Sequence, residues 1–208
     1  MDGLMFNTED IYWMVGKELM RRRGGEFTRE LSDAMMGLPP EATFGVMIRW
    51  HGLKDTWQEL LAESEEIYIG LLDDHLAPMA GLLALLENLE AAGLPKAICT
   101  SSSRRTLTAV LSRFGMEPRF AFTLTAEDIV HGKPNPEIYL KAAAQFEITP
   151  PQMLVLEDSQ TGCRAAAAAR ALTVAVPGEH SRQHDFSMAG LVIDSLADPR
   201  LYEILGLS

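Results

Sequence analysis

The sequence predicts an α/β protein: a parallel sheet covered by helices, with an all-helical segment inserted near the N-terminus. Three observations predict it. Beyond Pro78, short apolar runs of strand length alternate with helical patterns, the alternation that builds parallel sheets. Between Ile11 and Leu76 the apolar residues follow helical spacing alone. Four short polar segments stand at the ends of predicted strands, where open α/β sheets bind their ligands.

The elements follow in order. MDGLMFNTED at the start is short and turn-like. Ile11, Met14, Val15 and Leu19 then fall on one helix face, and Arg21 to Arg23 followed by Gly24-Gly25 read as a basic last turn and a stop. Cations at a helix C-terminus are favoured by its dipole, so this Arg run is read as a solvated helix end. Pro39-Pro40 separates that region from helices at 41–50 and about 54–72, with Trp50, Trp57 and Tyr68 expected in the core. Leu82, Leu85, Leu86 and Leu89 form a helical stripe closed by Gly93 and Pro95. Strands are expected at 97–101, 120–124, 153–157, 172–176 and 191–193, with helices at 104–114, 136–146 and 162–171. The alanine run 165–169 is read as a helix whose small side chains let it sit close on a sheet.

Charge and cysteine usage narrow the function. Lys plus Arg total 18 against 29 Asp plus Glu, a formal net charge of −11. That balance argues against nonspecific binding to nucleic acid or an anionic membrane, and it is compatible with a locally positive pocket for a phosphorylated molecule. Cys99 and Cys163 make neither a disulfide framework nor a zinc pattern; they are expected to be small buried residues in a reducing compartment, the cytoplasm. No apolar run reaches the ~20 residues of a membrane span, and the first ten residues carry no basic region of a signal peptide. No pattern speaks to an oligomeric state.

The four polar segments carry the chemistry. Asp2-Gly3 puts a carboxylate on a tight turn, which taken alone is an ordinary turn. Thr100-Ser101-Ser102-Ser103 lies between a strand and a helix, where hydroxyls and backbone N–H groups either bind an anion or simply cap the helix. His131-Gly132-Lys133-Pro134-Asn135-Pro136 holds a lysine in a stiff loop, able to place a point charge beside a phosphate; His131 reads as a surface residue. Leu154-Val155-Leu156-Glu157-Asp158-Ser159 runs an apolar strand into two carboxylates. Such acids are costly unless satisfied, and a hard cation such as Mg²⁺ would satisfy them; helix capping by Asp158 or Ser159 is the alternative.

Taken together, these segments in this order resemble the haloacid dehalogenase superfamily, and within it the β-phosphoglucomutase and phosphoglycolate-phosphatase branch. GKPNPEIYL and LVLEDSQTG are very close to the family pattern, and MDGLMFNTED looks like its first motif. The resemblance implies a Rossmann-like core formed by residues 1–10 and 77–208, with residues 11–76 as a helical cap that closes over the substrate and selects it. It implies an Mg²⁺-dependent phosphatase acting on a small phosphorylated metabolite through an aspartyl-phosphate. Asp2 would be the general acid/base and touch the metal through its backbone carbonyl. Ser101 would bind the phosphoryl group with Ser102 beside it, Thr100 being the alternative by one register step. Lys133 would stabilise phosphoryl charge, and Glu157 and Asp158 would hold Mg²⁺.

The chain departs from the family pattern at one point. In the resemblance the first motif is Asp-x-Asp-Gly and Met1 occupies the x, so the nucleophilic Asp and the central strand before it are expected to be missing from this chain. Burying about five apolar residues of that strand contributes on the order of 10 kcal/mol, against a domain's net stability of about 5–15 kcal/mol. A chain without it is expected to fold poorly and to be inactive. The expected origin is a start read at an internal Met; a degenerate family member is the alternative. Two other functions stand beside the phosphatase. A mutase would carry a cap His where Tyr12 stands, and a cap Arg where Gly37-Leu38-Pro39-Pro40 lies. A non-catalytic member would bind phosphate and metal without turnover.

Overall fold

The computed structural model describes residues 1–36, 38–179 and 181–207. Gly37, one of the residues at the expected cap-arginine position, lies outside the described residues. The chain forms two compact units: Thr8–Leu76, and Met1–Asn7 together with Ala77–Ser208. The change of unit falls at Asn7/Thr8 because the first helix already begins at Thr8.

The first unit is helical: α1 (Thr8–Arg22), α2 (Arg29–Met35), α3 (Pro40–His51) and α4 (Trp57–His75). α1 buries Ile11, Val15, Leu19 and Met20 and packs on α4, which buries Leu60, Ile67, Tyr68 and Leu72. Thr56 and Glu59 form a capping box that starts α4. The Arg21–Arg23 run does more than end a helix in solvent. Arg21 and Arg22 pair with Glu18, but Arg22 also reaches Glu63, and Arg23 pairs with Asp55 at 2.7 Å and Glu63 at 2.6 Å. The run therefore fastens α1 to α4. Trp50, expected in the core, is 51% exposed. α3 buries Phe44 and Met47 and ends one residue after Trp50, so no further turn covers the indole.

The second unit contains α5 (Leu82–Ala91), β1 (Ile98–Cys99), α6 (Arg104–Ser112), β2 (Thr123–Leu124), α7 (Glu137–Gln145), β3 (Leu154–Glu157), α8 (Gln160–Ala168), β4 (Leu172–Ala175), β5 (Leu191–Val192) and α9 (Pro199–Leu205). It is a helix-rich α/β unit with parallel strands. Leu82, Leu85 and Leu86 are buried as the stripe predicts. Ala165, Ala166 and Ala169 pack with Val155, Ile138 and Tyr139, so the alanines do bring α8 close onto β3.

The strands do not form one sheet. β1 pairs in parallel with β2, and β3, β4 and β5 form a second parallel sheet in that order. β1 and β3 are thus both edge strands, and among the described residues no strand lies between them. Cys163 is buried, whereas Cys99 at the end of β1 is only half-buried; both are free thiols. No helix among the described residues is long and apolar enough to cross a membrane.

Candidate active site

The site is built from the C-terminal ends of β1 and β3, in the α/β unit. After β1 the chain turns through Thr100, Ser101 and Ser102 into α6. Capping of α6 falls to Ser103, whose Oγ accepts from the Thr106 backbone N–H at 3.2 Å. The other three hydroxyls are therefore not used as its cap. Thr100 is buried at 3% exposure; its Oγ1 accepts from Ser102 N–H and donates to Asp2 Oδ2 at 3.2 Å. Ser102 Oγ donates to the same oxygen at 2.7 Å. Ser101 is exposed. The pair of hydroxyls thus fixes Asp2, a role for Thr100 that a motif reading does not supply.

Asp2 sits in a turn that Gly3 permits by adopting φ +63°, a region open to glycine. Its backbone carbonyl accepts from Leu4 N–H at 2.7 Å. Its Oδ1 is buried and has no hydrogen-bond partner. An uncompensated buried carboxylate oxygen is costly, and a hard cation is a natural complement for it.

Lys133 arrives from the 131–136 loop, which Glu137 pins by accepting from the Val130 and His131 backbone N–H groups. His131 itself is exposed. The Lys133 ammonium donates to the Cys99 carbonyl at 3.1 Å and to Glu157 Oε1 at 2.5 Å, with the two side chains only 9% and 7% exposed. One lysine therefore ties the end of β1 to the end of β3.

Glu157 closes β3. Its Oε1 also accepts from the Tyr139 hydroxyl, and its Oε2 accepts from Ser159 Oγ at 3.1 Å. Ser159 is the cap of α8, accepting from Gly162 N–H, so Asp158 does not serve as that cap. Ser181, 2% exposed, donates to the Asp158 backbone carbonyl at 2.8 Å and holds this turn in place. Burial works against the Lys133 charge, but the Glu157 charge and hydrogen bond outweigh it and hold the ammonium above its usual range; Asp158 adds to this. Burial likewise works against the Glu157 carboxylate, and Lys133 and the Tyr139 hydroxyl hold it below its usual range. Both members are charged near neutrality.

The structure thus brings Asp2, Ser102, Lys133 and Glu157 together through hydrogen bonds at the ends of β1 and β3, with Ser101 and Asp158 in the adjoining turns. Sequence reading missed Tyr139, Ser181, Gly162 and the part played by Thr100. Tyr139 alone gave a signal: a tyrosine at a core position needs a partner for its hydroxyl. Among the described residues no three His, Cys, Asp or Glu form a ready-made metal cluster. The candidate donors are nevertheless all hard oxygens, the Asp2 backbone carbonyl with the Glu157 and Asp158 carboxylates, a set that suits a hard cation.

Known proteins bear on this arrangement. The profile of the haloacid dehalogenase-like hydrolases matches residues 1–176. The probable pseudouridine-5'-phosphatase of Drosophila melanogaster is 30% identical over 204 residues, covering 95% of this chain and 88% of its own length. The bifunctional riboflavin kinase/FMN phosphatase of Arabidopsis thaliana is 27% identical over 202 residues; the match takes in 97% of this chain but only 53% of that protein. The crystal structure of β-phosphoglucomutase from Clostridium difficile superposes with a TM-score of 0.77, covering 99% of this chain and 93% of that one, at 21% identity, and so shares its fold. The chain belongs to the haloacid dehalogenase-like hydrolases, with relatives and structural neighbours in the β-phosphoglucomutase and phosphoglycolate-phosphatase branch.

Proposed function

We propose that this protein is an Mg²⁺-dependent phosphatase of a small phosphorylated metabolite, a sugar phosphate or a related ester, working in the cytoplasm. The observation that carries the reading is the hydrogen-bonded line from Asp2 through Ser102 to the end of β1, and on through Lys133 to Glu157. It gathers acid, hydroxyl and cation in one place, the combination that phosphoryl transfer uses for positioning and charge neutralisation. The phosphatase names borne by the Drosophila and Arabidopsis relatives support it.

In this scheme Ser101 binds the phosphoryl group and Lys133 neutralises its oxygens, while Ser102, expected beside the phosphoryl group, has its hydroxyl committed to Asp2 and its N–H to Thr100 and so orients the acid instead. Asp2, oriented by Thr100 and Ser102, protonates the leaving oxygen and then takes a proton from water. Asp2 through its backbone carbonyl, together with Asp158 and Glu157, would hold Mg²⁺, which when bound supplies positive charge against the phosphoryl oxygens. The scheme also needs a carboxylate nucleophile, of the kind that would end a strand seated between β1 and β3. Hydrolysis is favoured over phosphoryl transfer within a sugar because Tyr12 stands where a mutase carries its imidazole, and a phenol of pKa ≈ 10 is a poor proton carrier near neutrality.

The test is hydrolysis of p-nitrophenyl phosphate with Mg²⁺. The 208-residue chain should bind phosphate and hydrolyse nothing. A chain extended by an apolar strand ending in Asp should turn over, and lose that turnover when Asp2→Asn is added. An extended chain that binds phosphate without turnover identifies a binding protein instead. Turnover by the 208 residues alone refutes the nucleophile assignment.

A further inference from the structure

We infer that Tyr139 is a positioning residue for Lys133, acting through Glu157: its hydroxyl and the Lys133 ammonium share Glu157 Oε1, and the fixed carboxylate aims the ammonium at the phosphoryl site. This rests on the reading of Lys133 as the cation that meets the phosphoryl group.

An ammonium has three donors. Lys133 uses one on the Cys99 carbonyl and one on Glu157 Oε1, which leaves one N–H for a ligand and sets its direction. That direction is only as fixed as Glu157. The carboxylate is held on three sides. Tyr139 and Lys133 donate to Oε1, Ser159 donates to Oε2, and Gly162 packs directly against it. A Cβ at Gly162 would lie 2.0 Å from the Glu157 carboxyl carbon, so the absence of a side chain there is what lets the carboxylate occupy its place. Tyr139 also touches Lys133 directly, its ring centroid lying 5.0 Å from the ammonium. The residue is 3% exposed, so its hydroxyl has no water to fall back on. Removing the hydroxyl while keeping the ring leaves the cation–π contact and the packing, and removes one of the two donors that fix Oε1.

The test uses Tyr139→Phe in the 208-residue chain, with inorganic phosphate as the probe and Mg²⁺ present. Two quantities are read: the phosphate dissociation constant, and the Lys133 ¹⁵Nζ resonance in lysine-labelled protein. In the parent chain phosphate should bind and shift that resonance. In Tyr139→Phe the resonance should move before any ligand is added, and phosphate affinity should fall about two- to tenfold, the range expected for one lost hydrogen bond. A parent chain whose Lys133 resonance ignores phosphate refutes the phosphate-site reading itself. A parent that responds, with a Tyr139→Phe variant unchanged in both quantities, overturns the role of Tyr139. If the variant does not fold, 3-fluorotyrosine at 139 keeps the hydroxyl and strengthens it as a donor. It should shift the free Lys133 resonance, and an unmoved resonance overturns the inference.

Discussion

Glu157 ends an apolar strand, is 5% exposed, and keeps its charge because every neighbour is arranged around it. Two substitutions test that arrangement by their stability. Gly162→Ala places a methyl group 2.0 Å from the carboxyl carbon. It should cost about 1–3 kcal/mol, the usual range for overpacking, seen as a lower urea midpoint at unchanged slope. Lys133→Ala leaves a buried carboxylate without its cation and should cost about 3–5 kcal/mol; adding Glu157→Gln should recover part of the loss. At this scale the sequence was informative about residue types and less so about partners. Glu157 and Asp158 stood out because paired acids ending an apolar strand are chemically conspicuous, whereas an Asp-Gly turn and a loop lysine are ordinary alone, so Asp2 and Lys133 stood out only through the resemblance to the family motifs. Thr100 and Ser181 were not, because a buried hydroxyl on a backbone or carboxylate oxygen leaves no pattern in the chain. The choice between capping and site roles needed coordinates: Ser103 and Ser159 cap their helices, and their neighbours do not.

Among the elements, helices with a long apolar stripe were legible and short ones were not. α1, α3, α4 and α5 follow their stripes to within a few residues, whereas α2 and α9, of seven residues each, have too few turns to establish a period. The strands are shorter than their apolar runs, most of all β1 and β2, which pair only with each other. The junction of α1 with α4 gives a prediction with a definite sign. Glu18 is held at about 2, against an ordinary 4.5, by its hydrogen bonds to Arg21 and Arg22; Glu63 and Asp55 are lowered chiefly by Arg23. Depressed acids stabilise the folded state above their unfolded pKa values and lose that contribution as pH falls through the folded ones. The midpoint for loss of helix signal should therefore fall as pH drops from 4.5 toward 2, and Arg23→Ala should flatten the dependence. A dependence as steep in Arg23→Ala as in the parent contradicts the assignment.

For the whole molecule, the parallel α/β architecture was legible from alternation alone, but division of its strands into two sheets was not. Alternation records which segments are strands and says nothing about which edges meet. With β1 and β3 both at sheet edges, a strand seated between them would bury apolar surface worth on the order of 10 kcal/mol at most. The strand-extended chain should accordingly melt more than about ten degrees above the 208-residue chain in a calorimetric scan. Equal melting temperatures would mean that the two edges do not accept a strand.

Beyond stability, a phosphate and a divalent cation should bind side by side where Asp2, Lys133 and the Glu157–Asp158 turn meet. Titration calorimetry of inorganic phosphate with and without Mg²⁺, and of Mg²⁺ with and without phosphate, tests it most directly. Two ligands of one protein change each other's affinity by the same factor, and an anion seated beside a cation should raise it. A mutual gain of about tenfold or more is expected, the size of a typical coupling between sites, and Asp158→Asn should abolish it. Affinities that are the same whether or not the other ligand is present would contradict it.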